Sequence, residues 1–278
     1  MTISIEYISQ LVLNALNEDI GSGDVTAQLI SKERVGKASI ICREPMVVCG
    51  QAWVDACFHH CSPNIIIEWL VKEGEYITHP KALCIIEGPL APMLTAERTA
   101  LNFLQTLSAT ATQTKRYVDK IANTNCRVLD TRKTIPGLRL AQKYAVTIGG
   151  GLNHRFGLYD AYLIKENHIQ ACGSIAAAVY GAKKANPGIF IEVEVETLVQ
   201  LEETLSLAVD RIMLDNFSLQ DIQKAVSLRG NHPCELEVSG NIRLETIEEV
   251  ARSGVDYISV GAITKSINAI DLSLRLEE

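Results

Sequence analysis

The sequence predicts an α/β protein in two parts: a small β-rich α+β unit followed by an α/β barrel. Three observations carry this. Past Arg127 the chain falls into short apolar runs, Val128-Leu129, Ala161–Ile164, Ile189–Val195, Arg211–Leu214, Cys234–Val238 and Tyr257–Val260, separated by helical segments at the spacing of repeated βα units. No G-x-G-x-x-G follows the first of these and no G-x-x-x-x-G-K-[ST] occurs, so a Rossmann or P-loop sheet has no support and a barrel is favoured. The first hundred residues have a different texture, with β-rich runs that turn back on one another over short loops.

In chain order, residues 3–17 place apolar side chains at helical period, and the helix ends before the turn-rich Asp19-Ile-Gly-Ser-Gly-Asp-Val-Thr26. Strands are expected at 38–42, 46–49, 65–71 and 82–88, with a short helix at 51–61. Pro92 then opens a long helix reaching about Ile121 without an internal glycine. That helix is the natural connector, and the domain break is placed within 105–115. The chain is thus divided into an N-terminal domain, 1–110, with the tail 266–278 packing on it, and a barrel domain, 111–265.

At 278 residues with 47% hydrophobic and 21% charged residues the chain can bury a large core. No apolar run is long enough to span a bilayer, and the first residues lack a basic segment, so a cytoplasmic protein is expected. The eight cysteines are spread through apolar surroundings and are read as reduced core thiols. Cys57-Phe-His-His-Cys61 has ligand-like spacing, but no second pair follows, so it is read as a buried helix face rather than a metal site.

The formal net charge is -7, yet between Arg127 and Lys165 seven Lys/Arg stand against two carboxylates. A basic pocket on an acidic protein repels nucleic acid and focuses its field on a small anion. Within this stretch Gly149-Gly-Gly-Leu-Asn-His-Arg155 can bring backbone N–H groups to an anion. Arg132, Arg139 and Arg155 offer forked clamps for carboxylate or phosphate.

In a barrel, functional groups gather at the C-terminal strand ends. Those positions read Asp130-Thr-Arg-Lys133, Lys165-Glu-Asn-His168, Glu194 with Glu196, Asp215-Asn216, Ser239-Gly-Asn241 and Gly261. Glu192, Glu194 and Glu196 alternate with valines and are expected to share the interior face, paired with Lys133 and Lys165. Glu194 and Asp215 beside an anion cradle suit Mg²⁺ carried on substrate phosphates. Ser239, Gly240 and Gly261 suit a phosphate corner. The residues therefore describe an enzyme acting on a small polycarboxylate together with a phosphorylated partner.

The motifs Asp-Thr-Arg-Lys-Thr-x-Pro-Gly-x-Arg139, Gly149-Gly-Gly-x-Asn-His-Arg-x-Gly-Leu-x-Asp160, Leu163-Ile-Lys-Glu-Asn-His-Ile169, Glu18-Asp-Ile-Gly-x-Gly-Asp-x-Thr26 and Glu97-Arg-Thr-Ala-Leu-Asn-Phe-Leu104 resemble those of the quinolinate phosphoribosyltransferases over nearly the whole chain. The resemblance implies an N-terminal α/β sandwich, an open α/β barrel of about six or seven parallel strands, and a homodimer. Arg98 would reach the partner's site. It further implies that Arg132, Lys133, His154, Arg155 and Lys165 receive the carboxylates of quinolinate. Glu194 and Asp215 would lie near the ribose of phosphoribosyl pyrophosphate and its Mg²⁺, and Ser239, Gly240 and Gly261 near its 5′-phosphate. Lys133, Lys165, Glu194 and Asp215 carry the catalytic roles in this reading. The implied reaction gives nicotinate mononucleotide, pyrophosphate and CO₂ in NAD biosynthesis.

One departure is Leu107-Ser-Ala-Thr-Ala-Thr112, where the family commonly has Leu-Ser-Gly-Ile-Ala-Thr; Ala109 stiffens that helix. Two alternatives remain. A related phosphoribosyltransferase-like protein associated with molybdenum transport shares parts of these motifs, but the intact Asn153-His-Arg155 and Lys165-Glu-Asn-His168 argue against it. A non-catalytic anion-binding barrel would bind without turnover.

Overall fold

The computed structural model describes residues 2–277. Its elements are α1 (Ile5–Ile20), β1 (Val35–Cys42), β2 (Met46–Val47), α2 (Gln51–Cys61), β3 (Ile66–Trp69), β4 (Tyr76–Ile77), β5 (Lys81–Pro89) and α3 (Leu90–Lys120). Then follow β6 (Arg127–Leu129), α4 (Arg139–Ile148), β7 (Tyr162–Ile164), α5 (Glu166–Cys172), α6 (Ile175–Ala185), β8 (Ile191–Val195), α7 (Leu198–Leu205) and β9 (Arg211–Asp215). The chain closes with α8 (Leu219–Arg229), β10 (Glu235–Ser239), α9 (Ile247–Ala251), β11 (Tyr257–Ser259), α10 (Ala262–Lys265) and β12 (Leu272–Leu276).

Two compact units result, one of residues 1–113, 140–150 and 266–278, the other of 114–139 and 151–265. The division departs from a single break at 110–111 in one respect: most of α4, expected within the barrel, belongs to the first unit. In that unit an antiparallel sheet runs in the order β12-β1-β5-β3, so the C-terminal strand is an edge strand paired with β1. Helix α1 starts where the Ser4 side chain accepts the Tyr7 N–H at 3.2 Å, and it buries Ile8, Val12 and Leu16 at successive i, i+4 positions. Ala109 is buried within α3.

Six of the eight cysteines are buried, and burial pushes the thiols of Cys84, Cys126 and Cys234 up to about 12. Cys172 departs from the core reading, since it is exposed at the end of α5. On α2, Cys57 is buried and Cys61 half-buried, while the His60 Nε2 sits 2.9 Å from the Ser9 hydroxyl.

The second unit holds six parallel strands in the order β6-β11-β10-β9-β8-β7. Among the described residues no ladder joins β6 to β7, so the barrel is open. Alternation sorts each strand into two faces. Ile191, Val193, Val195, Ile212, Leu214, Leu236, Val238 and Ile258 form the apolar set and are buried. The other set, Glu192, Glu194, Arg211, Met213, Asp215, Glu235, Glu237, Ser239, Tyr257 and Ser259, is largely polar and faces the barrel axis. Strand register stacks this second set: Glu192 and Glu235 both pair with Arg211, Glu194 and Glu237 both pair with Met213, and Ser239 pairs with Asp215. A barrel interior normally filled by aliphatic layers is here ionic.

Candidate active site

At the C-terminal strand ends a cavity of about 410 Å³ is lined by Thr131, Arg132, Lys133, His154, Arg155 and Lys165 on its basic side. Glu194, Asp215, Asn216, Ser239, Gly240 and Asn241 form the rest of the polar wall, with Leu163, Met213 and Ser259 deeper. The position follows from the fold: the polar residues other than His154 and Arg155 lie at or just past the C-terminal ends of strands, and those two are carried by the segment between α4 and β7.

The basic side is built outward from Asp130, which is fully buried after β6. Its Oδ1 accepts the His154 backbone N–H at 2.9 Å and its Oδ2 accepts the Asn153 side-chain amide at 2.6 Å, tying the Asn153–Arg155 segment to that strand. Asp160 takes the backbone N–H groups of Phe156 and Gly157 at 2.6 and 2.9 Å and sets the other end of the segment. Arg155 is thereby presented to the cavity, with its guanidinium also bound to the Ala161 carbonyl at 3.3 Å. Burial first, and then the neighbouring positive charge of Arg132, lowers the Arg155 pKa. The Arg132 Nε is buried and has no hydrogen-bond partner among the described residues. Two guanidiniums held together with an unsatisfied donor make a site for an anion.

His154 is buried under this pair. The Arg155 backbone N–H donates to its Nδ1 at 2.7 Å, so the ring carries its proton on Nε2. That nitrogen lies 2.8 Å from Glu192 Oε2 and 3.6 Å from Glu237 Oε2, at ion-pair distance rather than along well-aligned hydrogen bonds. Burial raises both carboxylates, Glu192 to about 7 and Glu237 to about 8. For Glu237 the nearby Glu192 adds to the rise, whereas Arg211 opposes it for both.

On the acidic side Glu194 is buried and forms an ion pair with Lys165, and the Lys165 backbone N–H donates to His168 Nδ1 at 3.0 Å. Asp215 Oδ2 accepts the Asn216 side-chain amide at 2.8 Å. Asn216 and Asn241 both adopt left-handed backbone, with φ of 56° and 48°. Between them Gly240 has φ +98°, and a Cβ there would stand 2.2 Å from Asn216 Oδ1 and 2.9 Å from its backbone nitrogen, so only glycine allows the two loops to meet.

The structure thus brings Arg132, Lys133, His154, Arg155, Lys165, Glu194, Asp215, Ser239 and Gly240 around one cavity. Five expectations are corrected. Glu196 does not share the interior face, because β8 ends at Val195 and its N–H turns to the Gln200 side chain at 2.8 Å; it is exposed. The interior glutamates are not paired with Lys133, whose stem lies along Gly261; Glu192 faces His154 instead. Arg139 is not a clamp at the cavity, since it bonds Thr134 Oγ1 at 3.3 Å and the Phe156 carbonyl at 3.1 Å. The glycine run is a helix stop, with the Gly149 and Gly150 N–H groups bound to the Ala145 and Thr147 carbonyls at 3.0 and 3.1 Å. Gly261 is absent from the lining, and its part is to let Lys133 pass: a Cβ there would be 3.1 Å from Lys133 Cδ.

Arg98 is exposed on α3, beside Glu97. The residues that sequence reasoning missed are Glu237 and Arg211; the alternation Cys234-Glu-Leu-Glu-Val238 carries the same signal as Glu192 and Glu194 and would have found the first.

Comparison with known proteins identifies the family and the fold. Residues 24–108 match the family model for the quinolinate phosphoribosyl transferase N-terminal domain and residues 110–275 that for its C-terminal domain. A probable nicotinate-nucleotide pyrophosphorylase [carboxylating] of Bacillus subtilis is 38% identical over 268 residues, covering 96% of this chain and 92% of the relative. A chloroplastic nicotinate-nucleotide pyrophosphorylase [carboxylating] of Arabidopsis thaliana is 40% identical, covering 95% of this chain and 81% of its own. The solved structure of the nicotinate-nucleotide pyrophosphorylase from Francisella tularensis superposes with a TM-score of 0.96 at 48% identity, covering 99% of this chain and 98% of that one. With the two family models matched over residues 24–108 and 110–275, the chain belongs to the quinolinate phosphoribosyltransferase family.

Proposed function

We propose that this cavity transfers the phosphoribosyl group of phosphoribosyl pyrophosphate to quinolinate with loss of CO₂, giving nicotinate mononucleotide and pyrophosphate. The observation that carries the reading is the Arg132–Arg155 pair, two crowded cations with an unsatisfied Nε–H, facing Glu194 and Asp215 across one cavity. A pyridine dicarboxylate answers the cations, and a ribosyl centre that becomes cationic answers the carboxylates.

In this reading Arg132, Arg155, His154, Lys133 and Lys165 hold the quinolinate carboxylates and turn its ring nitrogen toward C1′. Glu194 and Asp215 stabilise oxocarbenium character as the C1′–O bond to pyrophosphate breaks and the C1′–N bond forms. Cations around the 2-carboxylate orient the ring; CO₂ then leaves from C2 and its bonding pair takes a proton from solvent. Ser239 and Gly240 suit the 5′-phosphate, while Gly261 shapes the wall through Lys133.

The donor set fits Mg²⁺: Glu194 and Asp215, engaged by Lys165 and Asn216 respectively, are the residues that would hold the ion. Bound there, the ion would neutralise the departing pyrophosphate. The exposed position of Arg98 supports a homodimer in which it reaches the partner's cavity. No helix among the described residues is long and apolar enough to cross a membrane.

The test is release of labelled CO₂ from carboxyl-labelled quinolinate by purified protein with phosphoribosyl pyrophosphate and Mg²⁺. Release that needs both additions is expected. Binding of quinolinate without release would make this a non-catalytic anion-binding barrel.

A further inference from the structure

Beneath the cavity lies an ionic cluster for which the reaction has no direct use. Arg211 opens β9 and is gripped from every side: its Nε and NH2 donate to Glu235 Oε2 at 3.1 and 2.8 Å, and NH1 donates to Glu237 Oε2 at 3.2 Å. Its guanidinium also lies over the Tyr257 ring at 4.0 Å and the Phe190 ring at 5.2 Å. Glu237 is fully buried, and around it stand His154 from the loop, Glu192 from β8, Arg211 from β9 and Ser259 from β11. Glu192 is in turn faced by Arg211, Arg155 and Glu194.

The hydrogen-bond account of this cluster does not close with two carboxylates. Among the described residues Glu192 Oε1 and Glu237 Oε1 are both buried without a donor, although side-chain nitrogen or oxygen atoms of His154, Glu192 and Glu237 lie within 4.8 Å of one another. One proton between the two carboxyl groups gives each orphaned oxygen a partner and leaves one negative charge to face the His154 Nε2–H. The alternative, a cation among the three residues, is disfavoured because Arg211 already occupies Glu237 Oε2.

We propose that Glu237 is a positioning residue for the carboxylate-binding side of the site: as a neutral carboxyl anchored by Arg211, it donates to Glu192, which fixes the His154 ring and, through its Nδ1, the Arg155 backbone. The inference rests on the assignment of Arg155 to a quinolinate carboxylate. Its chain of contacts runs from the start of β9 to the cavity, Arg211 to Glu237 to Glu192 to His154 to Arg155.

The test compares Glu237→Gln with Glu237→Leu in steady-state kinetics for both substrates. Glutamine offers an N–H donor in place of the carboxyl O–H and keeps an acceptor for Arg211, and its quinolinate KM stays within about threefold of the parent's. Leucine keeps the bulk without either group, and its quinolinate KM rises about tenfold or more while the phosphoribosyl pyrophosphate KM stays within about twofold. An unchanged leucine variant would reduce Glu237 to packing, and equal defects in both variants would mean that a negative charge is required; either overturns the proposal. If the leucine variant does not fold, Arg211→Lys, which cannot fork to Glu235 and Glu237 together, is expected to show the same split. Failure of that variant to fold as well, or a stoichiometric metal found in the purified protein that only chelation of the cluster removes, also overturns it. If Arg155→Ala leaves the quinolinate KM unmoved, the underlying assignment is wrong, a result distinct from a normal Glu237→Leu.

Discussion

Lys165, directly after β7, and Glu194, on the neighbouring strand β8, form an ion pair at the rim of the cavity. The pair neutralises Lys165 and Glu194 against each other, so on the proposed function an incoming quinolinate carboxylate has to take Lys165 from Glu194. Removal of the glutamate charge by Glu194→Gln leaves Lys165 free for substrate but withdraws a carboxylate from the developing cation. The expected result is a quinolinate KM unchanged or lower, with kcat down by about two orders of magnitude. Steady-state kinetics with both substrates checks it; an unaltered kcat removes Glu194 from the chemistry.

The raised carboxylates under His154 make stability depend on pH. In the unfolded chain Glu192 and Glu237 titrate near 4.5, and in the fold near 7 and 8, so the fold holds protons that the unfolded chain has released. Their contribution is full below about pH 4.5 and is lost as pH rises through 7 to 8. Comparison of Tm at pH 5.5 and 8.5 isolates it: the parent should lose about 3–6 °C more than Glu237→Gln, whose amide does not titrate. Identical pH slopes in the two proteins would show that Glu237 is ionised throughout.

Gly240 meets Asn216 too closely for any side chain. Gly240→Ala places a methyl group against an amide and a backbone nitrogen at a φ of +98°, a cost of about 1–3 kcal/mol in strain alone. A lower Tm and a raised phosphoribosyl pyrophosphate KM are expected, with the quinolinate KM little changed. Thermal unfolding and kinetics together check this, and a quinolinate-selective defect would contradict the placement of Gly240.

Much of the architecture was legible because it follows from local pattern. The six apolar runs of the barrel are strands in the structure, since period-2 alternation with helical spacers admits few other solutions. Most rim residues were legible for the same reason, as they follow those runs; His154 and Arg155, in the segment before β7, do not. What misled was chemistry that one residue type shares between two jobs. Gly149 and Gly150 stop a helix with the same N–H groups that an anion loop would use. Glu196 continued the Glu-Val alternation on paper, yet Thr197 caps α7 through the Gln200 N–H and ends the strand before it. Arg211 and Glu237 could not be joined from sequence because their pairing depends on the register between β9 and β10.

In the proposed function Arg155 receives a quinolinate carboxylate, and the quinolinate KM of Arg155→Ala tests this most directly. A charged, forked hydrogen bond is worth about 1.5–3 kcal/mol, so the KM should rise by roughly 10- to 150-fold, with the phosphoribosyl pyrophosphate KM within about twofold of the parent's. An unchanged quinolinate KM and kcat in a folded variant would contradict the assignment and, with it, the reading of the basic side of the cavity.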